Sequence, residues 1–179
     1  MANVNSPNGF TPAYHMSGGT IRPSEFAIAS GTNASIFSGD VVNLSSGLVI
    51  QGTATGVPLG VFGGVEYQAT DGSVVFSKVW TADVVTLGAA NAKAYVYSDP
   101  DIVYEAQSTG TPTQASIGTT NTISTTAGDS NTGRSKEGVT TTTSSGIATV
   151  VGFVDRPDNA IGQYARVYVI FPTSVFGNN

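Results

Sequence analysis

The chain has 179 residues and a net charge of −5, and only 11% of its residues are charged, where about a quarter is ordinary for a globular domain. No cluster of Lys or Arg occurs, which excludes an electrostatic footprint for nucleic acid. Cys is absent and His15 is the single His, which excludes a disulfide framework, a Cys nucleophile and a His-rich zinc site.

In chain order, residues 1–20 come first. Pro7, Gly9, Pro12, Gly18 and Gly19 forbid a helix there. Phe10, Tyr14 and Met16 nevertheless sit in this segment, so it is expected to be an extended N-terminal arm that packs on something, either a partner or its own domain. It carries no basic segment followed by an apolar one, so no secretion signal is expected. No apolar run along the chain approaches about 18 residues, so no membrane-crossing helix and no membrane partner are expected.

Residues 21–179 read as one β domain. Short runs of β-branched and aromatic residues alternate with Gly, Asn, Asp, Ser and Pro. Strands are expected at Glu25–Ala29, Val41–Leu44, Leu48–Gln51, Pro58–Tyr67, Val74–Trp80, Val84–Leu87, Lys93–Tyr97, Ile102–Gln107, Ile147–Val154 and Tyr164–Phe171. Turns are expected at Ser45-Ser46-Gly47, Thr70-Asp71-Gly72 and Asp99-Pro100-Asp101. Their spacing favours a small β-barrel or β-sandwich, an all-β fold. Gly60, Gly63 and Gly64 interrupt one strand and suggest a barrel corner. In the last strand, Ala165, Val167, Val169 and Phe171 form the better core face. Tyr164, Arg166, Tyr168 and Ile170 form the other face, and Arg166 there requires solvent, a partner subunit or a buried carboxylate. At most one helical turn fits around Gly88–Ala92.

Residues 108–146 are dominated by Thr, Ser, Gly and Asn, with Ile117, Ile123 and Val139 as the large apolar residues. They are expected to form a long Thr/Ser-rich excursion, partly ordered, with Ile117 and Ile123 pinned to the sheet and a tip near Gly128–Gly138.

The chemistry points away from catalysis. Asp99 with Asp101, and Asp155 with Asp158, fit turn chemistry and lack the remainder of a calcium loop. Glu66, Asp83 and Glu105 have no spacing that selects a catalytic pair, and no nucleophile, base and orienting group can be assembled. Gly60-Val61-Phe62-Gly63-Gly64 precedes no helix, so it is no dinucleotide fingerprint. No enzymatic activity, metal or cofactor is expected. Tyr67, Trp80, Tyr95 and Tyr97 are the aromatics that a carbohydrate-binding β module would present.

Several segments carry a family resemblance. They are Met1-Ala2-Asn3-Val4-Asn5-Ser6-Pro7-Asn8-Gly9-Phe10, Gly39-Asp40-Val41-Val42, the stretch from Pro58 to Tyr67, the stretch from Ala94 to Gln107, and Val151-Gly152-Phe153-Val154-Asp155-Arg156-Pro157-Asp158-Asn159. Together they resemble the decoration, or cement, proteins of tailed-bacteriophage heads. The resemblance implies a structural protein on the exterior of the virion head. It implies an all-β body, often a homotrimer, bridging neighbouring major capsid proteins through its N-terminal arm. Phe10, Tyr14 and Met16 are then the expected capsid contacts. Another virion β protein (tail tube, head fibre or receptor-binding module) and a carbohydrate-binding module are the alternatives.

Overall fold

The computed structural model describes residues 3–141 and 146–177. In chain order the strands are β1 (Thr11–His15), β2 (Ser24–Ile28), β3 (Ile36–Phe37), β4 (Val41–Ser45), β5 (Leu48–Gln51), β6 (Pro58–Gln68), β7 (Val74–Ser77), β8 (Val79–Trp80), β9 (Ala92–Tyr97), β10 (Ile102–Gln107), β11 (Thr120–Asn121), β12 (Ile123–Ser124), β13 (Gly138–Val139), β14 (Ala148–Phe153) and β15 (Arg166–Ile170). Helical structure among the described residues amounts to single 3-10 turns at Leu87–Ala89 and Gln114–Ser116. The fold is all-β.

One sheet closes on itself. β4 pairs with β5, β5 with β2, β2 with β9, β9 with β6, and β6 returns to β4, giving a five-stranded barrel. Only the β2–β5 contact, through Ala27 and Leu48, is parallel. β7 continues from β6 outside the ring, so its far side is a free edge. A second, antiparallel sheet runs in the order β1-β10-β15-β14-β11. β3 with β8, and β12 with β13, form two small ribbons.

Two cores follow from strand alternation. Val42, Val49, Leu59, Phe62, Ala92, Ala94 and Val96 fill the barrel, joined by Ile36 and Trp80 from the β3–β8 ribbon. Val41 and Val61, adjacent to Val42 and Phe62, belong to the other core. Successive strand residues face opposite sides, so β4 and β6 are a wall shared by both. The second core lies between that wall and the five-stranded sheet. It holds Ile102, Tyr104, Ala106, Ala148, Val150, Val167, Val169 and Phe171. Phe171 packs against Phe10 and Tyr104, with ring centroids 5.5 and 5.3 Å apart.

The barrel bends at its glycines. A Cβ on Gly60 would lie 2.1 Å from the Tyr97 carbonyl oxygen, so β6 and β9 can approach this closely only without a side chain. The β6–β9 register slips between Phe62 and Gly64. That bulge returns Val65 to the buried side alongside Phe62.

The N-terminal segment is not a detached arm. β1 pairs with β10 as the outer strand of the second sheet. Phe10, expected to contact a capsid, is 1% exposed within this chain's own core. Earlier residues are tied down as well. The Asn3 side chain donates to the Ala160 and Gln163 carbonyls, and Gln107 joins the Ser6 amide and the Val4 carbonyl. Of the two alternatives for this segment, it packs on its own domain.

The Val74–Trp80 strand is interrupted at Lys78 into β7 and β8. Val84–Leu87 is not a strand: Asp83 adopts φ 61°, and the chain then turns at Leu87–Ala89. The excursion is held down along much of its length. β11 pairs with β14, while Ile123 and Val139 enter the second core. Ile117 remains partly exposed rather than pinned. The expected tip folds back on the β3 region, because Ser38 bridges to Arg134 and Gly128 lies against the Phe37 ring.

Candidate interaction surface

The outward faces and free edges of the two sheets carry the chain's accessible chemistry. On the second sheet, Glu105 of β10 lies opposite Tyr168 of β15, beside Arg166. Glu105 accepts from Arg156 at 2.8 Å and from Arg166 at 3.3 Å. Arg166, itself partly exposed, thus meets a carboxylate that is only part-buried, which falls between the solvent and buried-carboxylate alternatives. A cavity of about 220 Å³ beside this cluster is lined by Ser6, Asn8, Thr11, Glu105, Arg156 and Arg166. Tyr14 of β1 packs edge-on against Tyr168, with centroids 5.5 Å apart, and is still 46% exposed. Met16, just past β1, is 59% exposed. Of the three expected contact residues, Tyr14 and Met16 therefore lie at the surface, at the sheet's edge, and Phe10 does not.

The second free edge is β7. Val74 and Phe76 are 58% and 71% exposed, and they lie opposite Gln68 and Glu66 of β6. Residues directly opposite in a ladder share a face. The apolar pair therefore borders a polar surface where the Tyr95 hydroxyl donates to Glu66 at 2.6 Å. That bond, which favours the neutral phenol, pushes the Tyr95 pKa up to about 12. Sequence pattern places Val74 and Phe76 in an expected strand, Val74–Trp80, and does not single them out as surface residues. The signal available was their alternation with Val75 and Ser77 beside an Asp-Gly turn, which marks the last strand of a hairpin.

His15, Asp99 and Asp101 bring their ligand atoms within 4.8 Å of one another. The ring nitrogens of His15 and the carboxylate oxygens of Asp99 are already engaged. Nδ1 of His15 faces the Ser17 amide and hydroxyl, at 3.3 and 3.0 Å. With Nδ1 accepting, the imidazole proton sits on Nε2 and points to Asp99 Oδ2 at 3.1 Å. Asp99 Oδ1 takes the Asp101 amide at 2.9 Å. That amide first, and then His15, hold the Asp99 carboxyl below the usual range. The arrangement pins the β9–β10 turn to the end of β1.

The aromatics of a sugar-binding face are dispersed. Trp80 is wholly buried, with Tyr67 packed edge-on at 5.5 Å. Tyr97 packs against the second core, and its carbonyl accepts the Tyr104 hydroxyl. Asp83 lies at a turn, Glu66 pairs with Tyr95 and Glu105 with two arginines, so none of these carboxylates faces another across a cleft. Comparison of the chain with family models, curated proteins and solved structures returned no match.

Proposed function

We propose that this protein is a structural component of a phage head that binds the outer surface of the capsid and bridges neighbouring major capsid proteins, as a homotrimer. The observation that carries the reading is the pair of free β edges with exposed apolar side chains, Tyr14 and Met16 beside β1 and Val74 and Phe76 on β7. An open edge offers main-chain hydrogen bonds to an added strand and the apolar side chains give it grip. The low charge of the chain is in keeping with surfaces that become interface cores, where charge is depleted. The resemblance of its sequence segments to decoration proteins supplies the kind of partner. A trimer multiplies weak contacts, because one docked protomer raises the effective concentration of the others.

The N-terminal segment takes part as a sheet edge rather than as a free tether. Removing residues 1–16 would strip Phe10 from the core, so the test uses surface substitutions. Tyr14→Ala with Met16→Ala, and separately Phe76→Glu, are compared with the wild type for co-sedimentation with heads stripped of this protein. Retained folding with at least a tenfold loss of head binding in one of the two variants is expected. Wild-type binding by both would remove these edges from the interface.

A further inference from the structure

The buried polar side chains of the described residues include two carboxyl groups, Asp40 and Glu137. Asp40 occupies the turn between β3 and β4, where its Oδ2 accepts the Phe37 amide at 2.8 Å. Glu137 immediately precedes β13, on the returning limb of the excursion. Its Oε2 accepts the Val41 amide at 2.8 Å, and its own amide donates to Ser135 Oγ at 3.0 Å. Each carboxyl thus has one oxygen tied to an amide. The other oxygens, Asp40 Oδ1 and Glu137 Oε1, are buried with no hydrogen-bond partner.

Among the described residues no basic side chain forms an ion pair with either of them. Lys136 turns to Asp129, at 3.5 Å. Arg134 and Lys78, which flank this junction from the excursion and from the link between β7 and β8, are exposed. The neighbouring stretch of the N-terminal segment contributes Asn8 and Gly9, and the facing part of β6 contributes Gly60 and Val61; none of these titrates. Two buried carboxylates without a counter-charge are costly, since desolvation and mutual repulsion act together. The packing is close: a Cβ on Gly9 would lie 2.4 Å from Ser135 Cβ, and one on Gly39 would lie 3.2 Å from both Ser135 Cβ and the Asn8 carbonyl oxygen. The backbone on either side of Ser135 is therefore packed without room for added side chains.

We infer that Asp40 and Glu137 share one proton, and that this acid–carboxylate pair is a latch fastening the returning limb of the excursion to the β3–β4 turn. The proton gives one orphan oxygen a donor to offer and the other a donor to accept, as in paired carboxyls that cannot both ionise. Burial first, and then the charge of Asp40, push the Glu137 pKa up from 4.5 to about 9. Burial also raises that of Asp40, against the Ser135 hydroxyl and Phe37 amide, which favour its ionised form. The sign follows. Between the ordinary carboxylate range and about pH 9 the folded chain keeps a proton that the unfolded chain has released. The stabilisation is complete below that range and is lost as pH rises toward about 9. The folding equilibrium should weaken by up to about tenfold per pH unit on this account.

The test is urea unfolding of the full chain between pH 5.5 and 9.5, with hydrogen exchange of residues 122–141, for wild type, Glu137→Gln and Asp40→Asn. The Gln amide keeps an acceptor for Val41 and supplies a permanent donor to Asp40. The wild type is expected to lose stability and local protection steadily with pH. Glu137→Gln is expected to be nearly flat and to be the more stable protein at pH 9. Asp40→Asn removes the like charge and moves the decline to lower pH, which keeps the idea testable if the Gln variant does not fold. A flat wild-type profile, a wild-type slope retained in Glu137→Gln, or a decline in Asp40→Asn that extends to as high a pH as in the wild type, would overturn the latch.

Discussion

At the residue scale, close approach and burial decide which side chains are replaceable. Gly60 and Gly152 both lie within strands of the fold, yet they differ in what a Cβ would meet. At Gly60 it would strike the Tyr97 carbonyl at 2.1 Å; at Gly152 nothing lies within 4 Å. Gly60→Ala is expected to cost at least about 2 kcal/mol by overpacking a backbone contact, and Gly152→Ala to stay within about 0.5 kcal/mol. Chemical denaturation of the two variants checks the contrast. The same comparison separates the phenylalanines. Phe62, wholly buried in the barrel, should cost about 3–5 kcal/mol on truncation to Ala. Phe76, mostly exposed, should cost little stability, whatever it does to binding. Equal losses for the two would contradict the assignment of Phe62 to the barrel interior.

At the element scale, the strands that the sequence made legible are those whose pattern is local. β5 and β10 fall at the expected residues, and the last strand turns Ala165, Val167, Val169 and Phe171 inward as its alternation requires. The Asp71-Gly72 hairpin forms, with Asp71 receiving the Ser73 amide and hydroxyl. β1 was hidden because Pro and Gly surround it. Pro12 lacks a donor, and the strand accommodates it at an edge, where the pairing with β10 slips between Pro12 and Tyr14. The reverse error occurred at Val84–Leu87. Its β-branched residues favour a strand, but Asp83 in the left-handed region redirects the chain, and Val85 and Leu87 remain exposed. Propensity is a statement about fitting a pleated neighbour, and here pairing is limited to one isolated bridge, between Thr86 and Ala69. The excursion's few anchors were partly readable: Ile123 and Val139 are large apolar residues in a polar tract and both are buried, whereas Ile117 is not.

At the scale of the whole molecule, turn spacing and internal glycines point to a barrel or a sandwich, and closure of the barrel is not legible in them. Closure depends on β6 returning to β4 and on the parallel contact of β2 with β5, long-range pairings that no local pattern encodes. The division into two cores sharing β4 and β6 was hidden for the same reason. The site was legible only in part. Tyr14 and Met16 could be named from aromatic and apolar residues in a Gly- and Pro-rich segment, but the β7 edge requires the sheet order, and the Asp40–Glu137 pair joins residues far apart in sequence. In the proposed role many copies of this molecule cover the outside of a phage head. That role is tested most directly by the copy number of this chain in purified virions, measured by quantitative mass spectrometry against the major capsid protein. A ratio near one copy per capsid subunit is the predicted result. A few copies per particle, or none, would contradict a head-decorating role.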